Sequence, residues 1–244
     1  MTFDPFGDFE TEGYLQNSLK LKDPVEVKES EHLSFEASIE DALAFLAKKR
    51  SIDYKAVLKT HEILFSGFYP WAGKDRNELI PHLAVFKGSK DDPHTIFERP
   101  DLIKRSVEYA LELASNKKRF RDRPGEVMGQ LASVHPFLDG NGRTILLIYM
   151  ELCFRTRFAV DWSKTSKDDY LNARSDEIRN PFKGHLDSYL KPFVIDISNR
   201  DEWPGMIGGI KGLDGLEKEG ITYANLDNPE VQQLYKAYRA QPLE

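Results

Sequence analysis

Apolar residues recur every three or four positions over residues 35–49, 53–65, 100–116, 125–134, 142–158, 167–178 and 185–190, a period that predicts helices with one buried face. Val127, Leu131 and Val134 mark the inward stripe of the segment 125–134. Ile145, Leu146, Ile148, Tyr149 and Leu152 make the segment after it strongly apolar. One stretch breaks the helical period. Leu79-Ile80-Pro81-His82-Leu83-Ala84-Val85-Phe86 is rich in strand formers and bounded by Arg76-Asn77 and Gly88-Ser89, which predicts a short exposed hairpin over residues 78–87. The two ends read differently again. Residues 1–13 are acidic and contain Gly and Phe, the composition of an irregular arm. From Asp196 the composition shifts: residues 203–212 are too Gly-rich for regular structure, and residues 228–239 predict a last helix, with Asp227-Asn228-Pro229 at its start. The pattern as a whole predicts an all-α fold carrying one short β-hairpin.

Composition narrows the possibilities without deciding among them. A chain of 244 residues buries a sizeable core, enough for one domain with appendages. A net charge of −6 with no basic stripe argues against a nucleic-acid surface. The clusters Lys48-Lys49-Arg50 and Lys117-Lys118-Arg119-Phe120-Arg121 are expected at helix ends, where cations oppose the helix dipole. The single Cys153 excludes an internal disulfide and, set in an apolar helix, reads as an inert buried thiol. Six His with no close pair argue against a zinc site. No apolar run approaches the ~20 residues that a membrane span needs, and the chain opens on nothing like an export signal. A cytoplasmic location without membrane attachment is the expectation, with export as an effector the alternative.

The candidate chemistry is concentrated in His135-Pro136-Phe137-Leu138-Asp139-Gly140-Asn141-Gly142-Arg143-Thr144, a tight loop between two core helices. Gly140, Asn141 and Gly142 allow a left-handed backbone or close approach, so the amides that open the second helix can converge on an anion. Arg143 offers a planar fork for a second phosphate, and Asp139 offers the hard oxygen that Mg²⁺ prefers when it already holds phosphates. An unperturbed histidine titrates near neutral pH, so His135 is a candidate to take a proton from a hydroxyl. Any one of these residues alone is ordinary turn or core material; an acid, a base, an Arg and a Gly-flanked turn together point to a transferase or hydrolase.

The loop resembles the signature of Fic-domain proteins, HPFx[D/E]GNGRxxR, from His135 through Arg143. Tyr69-Pro70-Trp71-Ala72-Gly73-Lys74-Asp75-Arg76 is similar to the family's YPWAGxxR segment. Tyr14–Leu19 followed by Lys22-Asp23-Pro24 resembles its N-terminal entry, and Asp161-Trp162-Ser163 with Tyr170-Leu171 the segment after the motif helix. The resemblance covers residues 14–193 as a Fic domain, leaving 1–13 as an arm and 194–244 as a C-terminal extension. It implies a Fic-type helical bundle with a β-hairpin flap over the loop, and transfer of AMP from ATP, with Mg²⁺, to a hydroxyl of a protein. By resemblance His135 is the general base, Asp139 holds the metal, and Phe137, Gly140, Asn141, Gly142 and Arg143 form the nucleotide site, Phe137 as the anchor beneath it. Ile80, Pro81, His82 and Leu83 would be the flap that docks the protein substrate by strand addition; a separate inhibitory antitoxin protein is a further implied partner. One position departs. The pattern's second Arg is Leu146 here, and family geometry puts that position toward the phosphates, so partial exposure is expected. A missing Arg resembles the Doc branch, which transfers phosphate instead, yet Asn141-Gly142-Arg143 is not the Doc-like Asn-Lys-Arg. A non-catalytic nucleotide- or protein-binding module is the remaining alternative. Ser198-Asn199-Arg200-Asp201-Glu202 has the S-x-x-x-E spacing of the family's inhibitory helix, but Trp203-Pro204-Gly205 follows at once and makes that role unexpected.

Overall fold

The computed structural model describes residues 4–7, 14–88, 93–197, 199–210, 213 and 220–239. The expected irregular arm therefore falls mostly outside the described residues, as does Ser198. The chain forms α1 (Pro24–Lys48), α2 (Tyr54–Phe65), the single turn α3 (Arg76–Leu79), β1 (Leu83–Gly88) and β2 (Pro93–Ile96). Then come α4 (Ile103–Ser115), α5 (Lys117–Asp122), α6 (Pro124–Val134), α7 (Asn141–Arg155), β3 (Ala159–Val160), α8 (Lys167–Arg179) and α9 (His185–Leu190). The last elements are β4 (Val194–Ile195), α10 (Trp203–Gly208), β5 (Ile221–Asn225) and α11 (Pro229–Arg239). The fold is helical with a small antiparallel sheet. Among the described residues no helix is long and apolar enough to cross a membrane.

α7 is buried on every side from Arg143 to Cys153, the pattern of a helix at the centre of a bundle. α1, α2 and α6 all pack on it, and α6 also packs against α4, α8 and α9. The approach of α9 to α6 requires Gly125: a Cβ there would lie 2.1 Å from the Asp187 amide nitrogen. The space is used for a cap. Asp187 accepts hydrogen bonds from the Gly125 and Glu126 amides at 2.7 and 3.3 Å, satisfying donors that the first turn of α6 cannot pair internally. This fixes the helix whose other end presents His135.

Four sequence expectations are corrected. α1 begins at Pro24, not at residue 35, because Asp23 accepts from the Val25 and Glu26 amides and Pro24 sits at the first position, where its missing N–H costs nothing. A buried Glu31 beside an exposed Leu33 disguises its inward face. Lys117–Arg121 lies within a short helix of its own, α5, capped by Asn116, rather than decorating a neighbour's end. Residues 203–208, expected to be irregular, form α10, with Pro204 in its first turn and Trp203 and Ile207 buried.

The fourth correction concerns the hairpin. The segment before β1 is the turn α3, Ile80 is buried in the core, and the strands are 83–88 and 93–96 rather than a pair within 78–87. Nor is the hairpin exposed. β1 is the middle strand of three, in the order β2-β1-β5, both pairings antiparallel. Val85 faces the main core, while Ala84 and Phe86 face a second cluster with Val231 and Tyr235 of α11. A strand covered on both faces reads as a continuous apolar run, which is why the sequence showed strand formers but not their cover.

Candidate functional site

α6 ends at Val134, and His135 follows as its C-cap in the left-handed conformation at φ 46°, ψ 60°. A non-Gly residue held there costs on the order of 1–2 kcal/mol, so the surroundings must enforce it. They do so through Arg76, fully buried on α3. Its Nε donates to the His135 carbonyl at 2.7 Å, and its Nη2 donates to the carbonyls of Val134 and Glu98 at 3.1 and 2.7 Å. Its amide adds a bond to the Pro136 carbonyl at 2.8 Å. Desolvation lowers this guanidinium to about 10, so it stays charged at neutral pH. The His135 ring stacks on Phe97, centroids 3.9 Å apart and 16° from parallel.

Within the decapeptide, His135 and Asp139 are part-exposed, Gly142 is exposed and the remaining seven residues are buried. The inward residues hold the loop's shape. Asn141 Oδ1 accepts from the Phe137 amide at 2.9 Å while its Nδ2 donates to the Phe137 carbonyl at 2.8 Å, closing the loop on itself. Phe137 stacks on His61, centroids 3.8 Å apart, and is fully buried. Its side chain is the anchor beneath the loop; as a nucleotide contact it is corrected. Arg143 is buried too. Its guanidinium lies over Phe35 and Phe65 and its Nη2 pairs with the buried Glu31 of α1, while Nη1 is left without a hydrogen bond among the described residues. Leu146, expected at the edge of a cleft, is only 6% exposed and belongs to the core.

The backbone remains to meet an anion. Gly140, the N-cap of α7, has φ 72° and ψ 2°, and no side chain caps the helix. The first-turn amides of Asn141, Gly142 and Arg143 have no intrahelical acceptor, and the helix dipole adds partial positive charge at this end. Exposed Gly142 leaves the approach open: a Cβ there would meet nothing within 4 Å. Asp139 stands beside it. Its Oδ1 accepts from the Gly140 amide at 2.7 Å and its Oδ2 from Lys28 of α1. Burial would discharge Lys28, but Asp139 and Glu31 outweigh it and hold the ammonium charged.

Residues 51–153 match the model of the Fic/DOC family. Over that segment the chain is similar to Fic/DOC domains. It is 29% identical over 173 residues to protein adenylyltransferase VbhT of Bartonella schoenbuchensis, an alignment covering 70% of this chain and 35% of that one. The chain thus spans about a third of the length of VbhT. It is 26% identical over 168 residues to the probable protein adenylyltransferase y4lH of Sinorhizobium fredii, covering 65% of this chain and 80% of that one. Among solved structures, BepC of Bartonella tribocorum with bound AMPPNP superposes with a TM-score of 0.62 at 18% identity, over 81% of this chain and all of that one. The N-terminal Fic domain of a Bartonella quintana effector with bound ADP gives 0.63 at 19% identity, over 77% of this chain and 94% of that one. These structures share the fold.

Three residues of this site escape sequence reading. Lys28 and Glu31 lie one turn apart on the part of α1 that the spacing misses, and they join Asp139 to Arg143 in a chain of alternating charge. The Asp23-Pro24 start signal was enough to place them on a helix. His61 is the third. The Gly73 amide donates to its Nδ1 at 2.9 Å, so Nε2 carries the proton and donates to the Asp139 carbonyl at 3.1 Å. The YPWAG segment thus supports the loop, with Gly73 at φ 84°.

The two loop glycines should respond differently to a methyl group. In Gly140→Ala the new Cβ sits 2.4 Å from Phe65 Cε2 on a left-handed backbone, and the expected loss is about 2–4 kcal/mol. Gly142→Ala meets open space in a helix and should melt at or slightly above wild type. Thermal unfolding of both variants checks this; equal melting temperatures would remove Gly140 as the fixed point of the loop.

Proposed function

We propose that the chain is a protein adenylyltransferase that moves AMP from ATP to a Tyr, Ser or Thr hydroxyl of a protein. One observation carries the reading: the uncapped N-terminus of α7, open at Gly142, directly follows a loop in which His135 and Asp139 are part-exposed. The relatives named as adenylyltransferases support it. In this reading the amides of Asn141, Gly142 and Arg143 receive phosphate oxygens, so that negative charge meets fixed dipoles that need not reorganise. The acceptor oxygen bonds to the α-phosphorus, the bond from that phosphorus to the bridging oxygen breaks, and pyrophosphate leaves with the electron pair. His135 takes the hydroxyl proton. Phe97 and Arg76 keep its ring and backbone in place.

Asp139 fits a Mg²⁺ held chiefly by nucleotide phosphates. It supplies one part-exposed carboxylate, and among the described residues no three His, Cys, Asp or Glu gather to cage an ion. When bound, the ion would neutralise phosphate charge. Lys28, which also contacts Asp139, has Glu31 at 3.1 Å as its other partner.

A second reading, phosphate transfer from the γ position, is favoured by Leu146, which puts an apolar side chain where the family pattern has its second Arg. Incubation with Mg²⁺, a lysate and ATP labelled at the α- or the γ-phosphate separates the two. Label is expected on protein from α-labelled ATP alone. Label from the γ position alone selects phosphate transfer, and none from either overturns both.

A further inference from the structure

The edge of β1 that a protein substrate would need is already taken, and by this chain. β5, from the C-terminal extension, pairs antiparallel with β1 over its full length: Leu83 opposite Asn225, Ala84 opposite Ala224, Val85 opposite Tyr223, Phe86 opposite Thr222 and Lys87 opposite Ile221. The Leu226 amide extends the ladder to the His82 carbonyl at 2.9 Å. This is strand addition within one molecule.

The register decides which side chain of β5 faces the loop. Residues directly opposite in an antiparallel pair share a face, and successive residues alternate. Tyr223 shares the face of Val85, which belongs to the main core; Thr222 shares that of Phe86, on the side of Val231 and Tyr235 of α11. The Val85 carbonyl accepts from the Phe97 amide at 3.1 Å, and the Phe97 ring stacks on His135. Tyr223 is thereby placed one strand and one ring away from the proposed base. Its ring is held edge-on by Phe6, centroids 4.7 Å apart. Its phenol lies within electrostatic reach of Asp139, Arg76 and Lys28.

We propose, on the basis of the adenylyl-transfer reading above, that β5 occupies the substrate-docking edge in cis and that Tyr223 is an acceptor on which the chain deposits AMP. The Tyr223 phenolic oxygen forms the bond to the α-phosphorus of ATP, pyrophosphate leaves, and the proton passes to His135. Burial pushes the phenol above its ordinary value, so the hydroxyl stays protonated until a base removes it. Tethering also raises the local concentration of this acceptor to the millimolar range typical of a linked module, so a partner in solution competes with it at a disadvantage. Thr222 faces away from the loop and takes no AMP.

The test uses the full chain with Mg²⁺ and α-labelled ATP, followed by peptide mapping by mass spectrometry. The adenylyl group is expected on the peptide that contains Tyr223. Labelling per molecule should not change over a tenfold range of protein concentration. Tyr223→Phe keeps the ring against Phe6 and should lose this label, while Thr222→Val should keep it. Transfer to other hydroxyls with Tyr223 unmodified would overturn the inference and leave the adenylyl-transfer reading standing. Labelling that rises in proportion to protein concentration would overturn transfer in cis. No transfer to any protein overturns both.

Discussion

His135→Ala is expected to slow adenylyl transfer by about 10²–10⁴-fold, the usual cost of losing a general base, with the fold intact. Its ring is part-exposed and its main packing is the stack on Phe97, worth roughly 0.5–1.5 kcal/mol beyond the area it buries. The backbone is the larger concern, because His135 sits at φ 46° and Ala tolerates that region poorly. His135→Asn answers it: Asn enters the left-handed region more readily than other residues, yet its amide cannot take the proton. Initial rates and melting temperatures of both variants should show lost turnover with melting near wild type. A folded variant that retains turnover would remove His135 as the base.

The second large effect is acid lability centred on His61. Desolvation holds this fully buried imidazole neutral and lowers its pKa to about 3, against about 6.5 in an unfolded chain. Between those two values the unfolded state binds a proton that the folded state refuses, so stability falls as pH drops from about 6.5 toward 3. Each unit of separation is worth about 1.4 kcal/mol, and crossing the window costs several kcal/mol. A proton on Nδ1 would also replace its bond from the Gly73 amide with two opposed donors, loosening the ring that holds the Asp139 carbonyl. Urea midpoints at pH 7 and pH 4.5 should differ markedly in wild type. His61→Gln should start lower at pH 7 but lose less on acidification. Equal losses in the two proteins would show that other groups govern the acid response.

The centre of the fold was legible because its signals are local. Val127, Leu131 and Val134 on one helix and Ile145 to Leu152 on the next announce two core helices, and Gly140-Asn141-Gly142 announces the turn between them. The direction in which the loop's side chains point was not legible. Arg143 reads as an open phosphate fork until it is seen buried and paired with Glu31, 112 residues earlier in the chain. Asn141 reads as a ligand until its amide is seen to clamp Phe137 at both backbone groups. The third strand was hidden for the same reason. Ile221–Asn225 is a short run whose partner, β1, lies far upstream, and a pairing fixed by distant residues leaves no local period.

That separation also sets an order of events at the ribosome. The Tyr235 hydroxyl, which seals α11 over the sheet by donating to the Phe97 carbonyl at 3.0 Å, is 138 residues from its acceptor. At the usual pace of synthesis, α6, the loop and α7 emerge on the order of ten seconds before β5 and α11 do. During that interval β1 has no outer neighbour, and a second newborn chain on the same message could lend its strand instead. The extension that closes the domain last is therefore also where two copies would exchange segments, and slowing translation beyond residue 197 should raise the yield of swapped dimers.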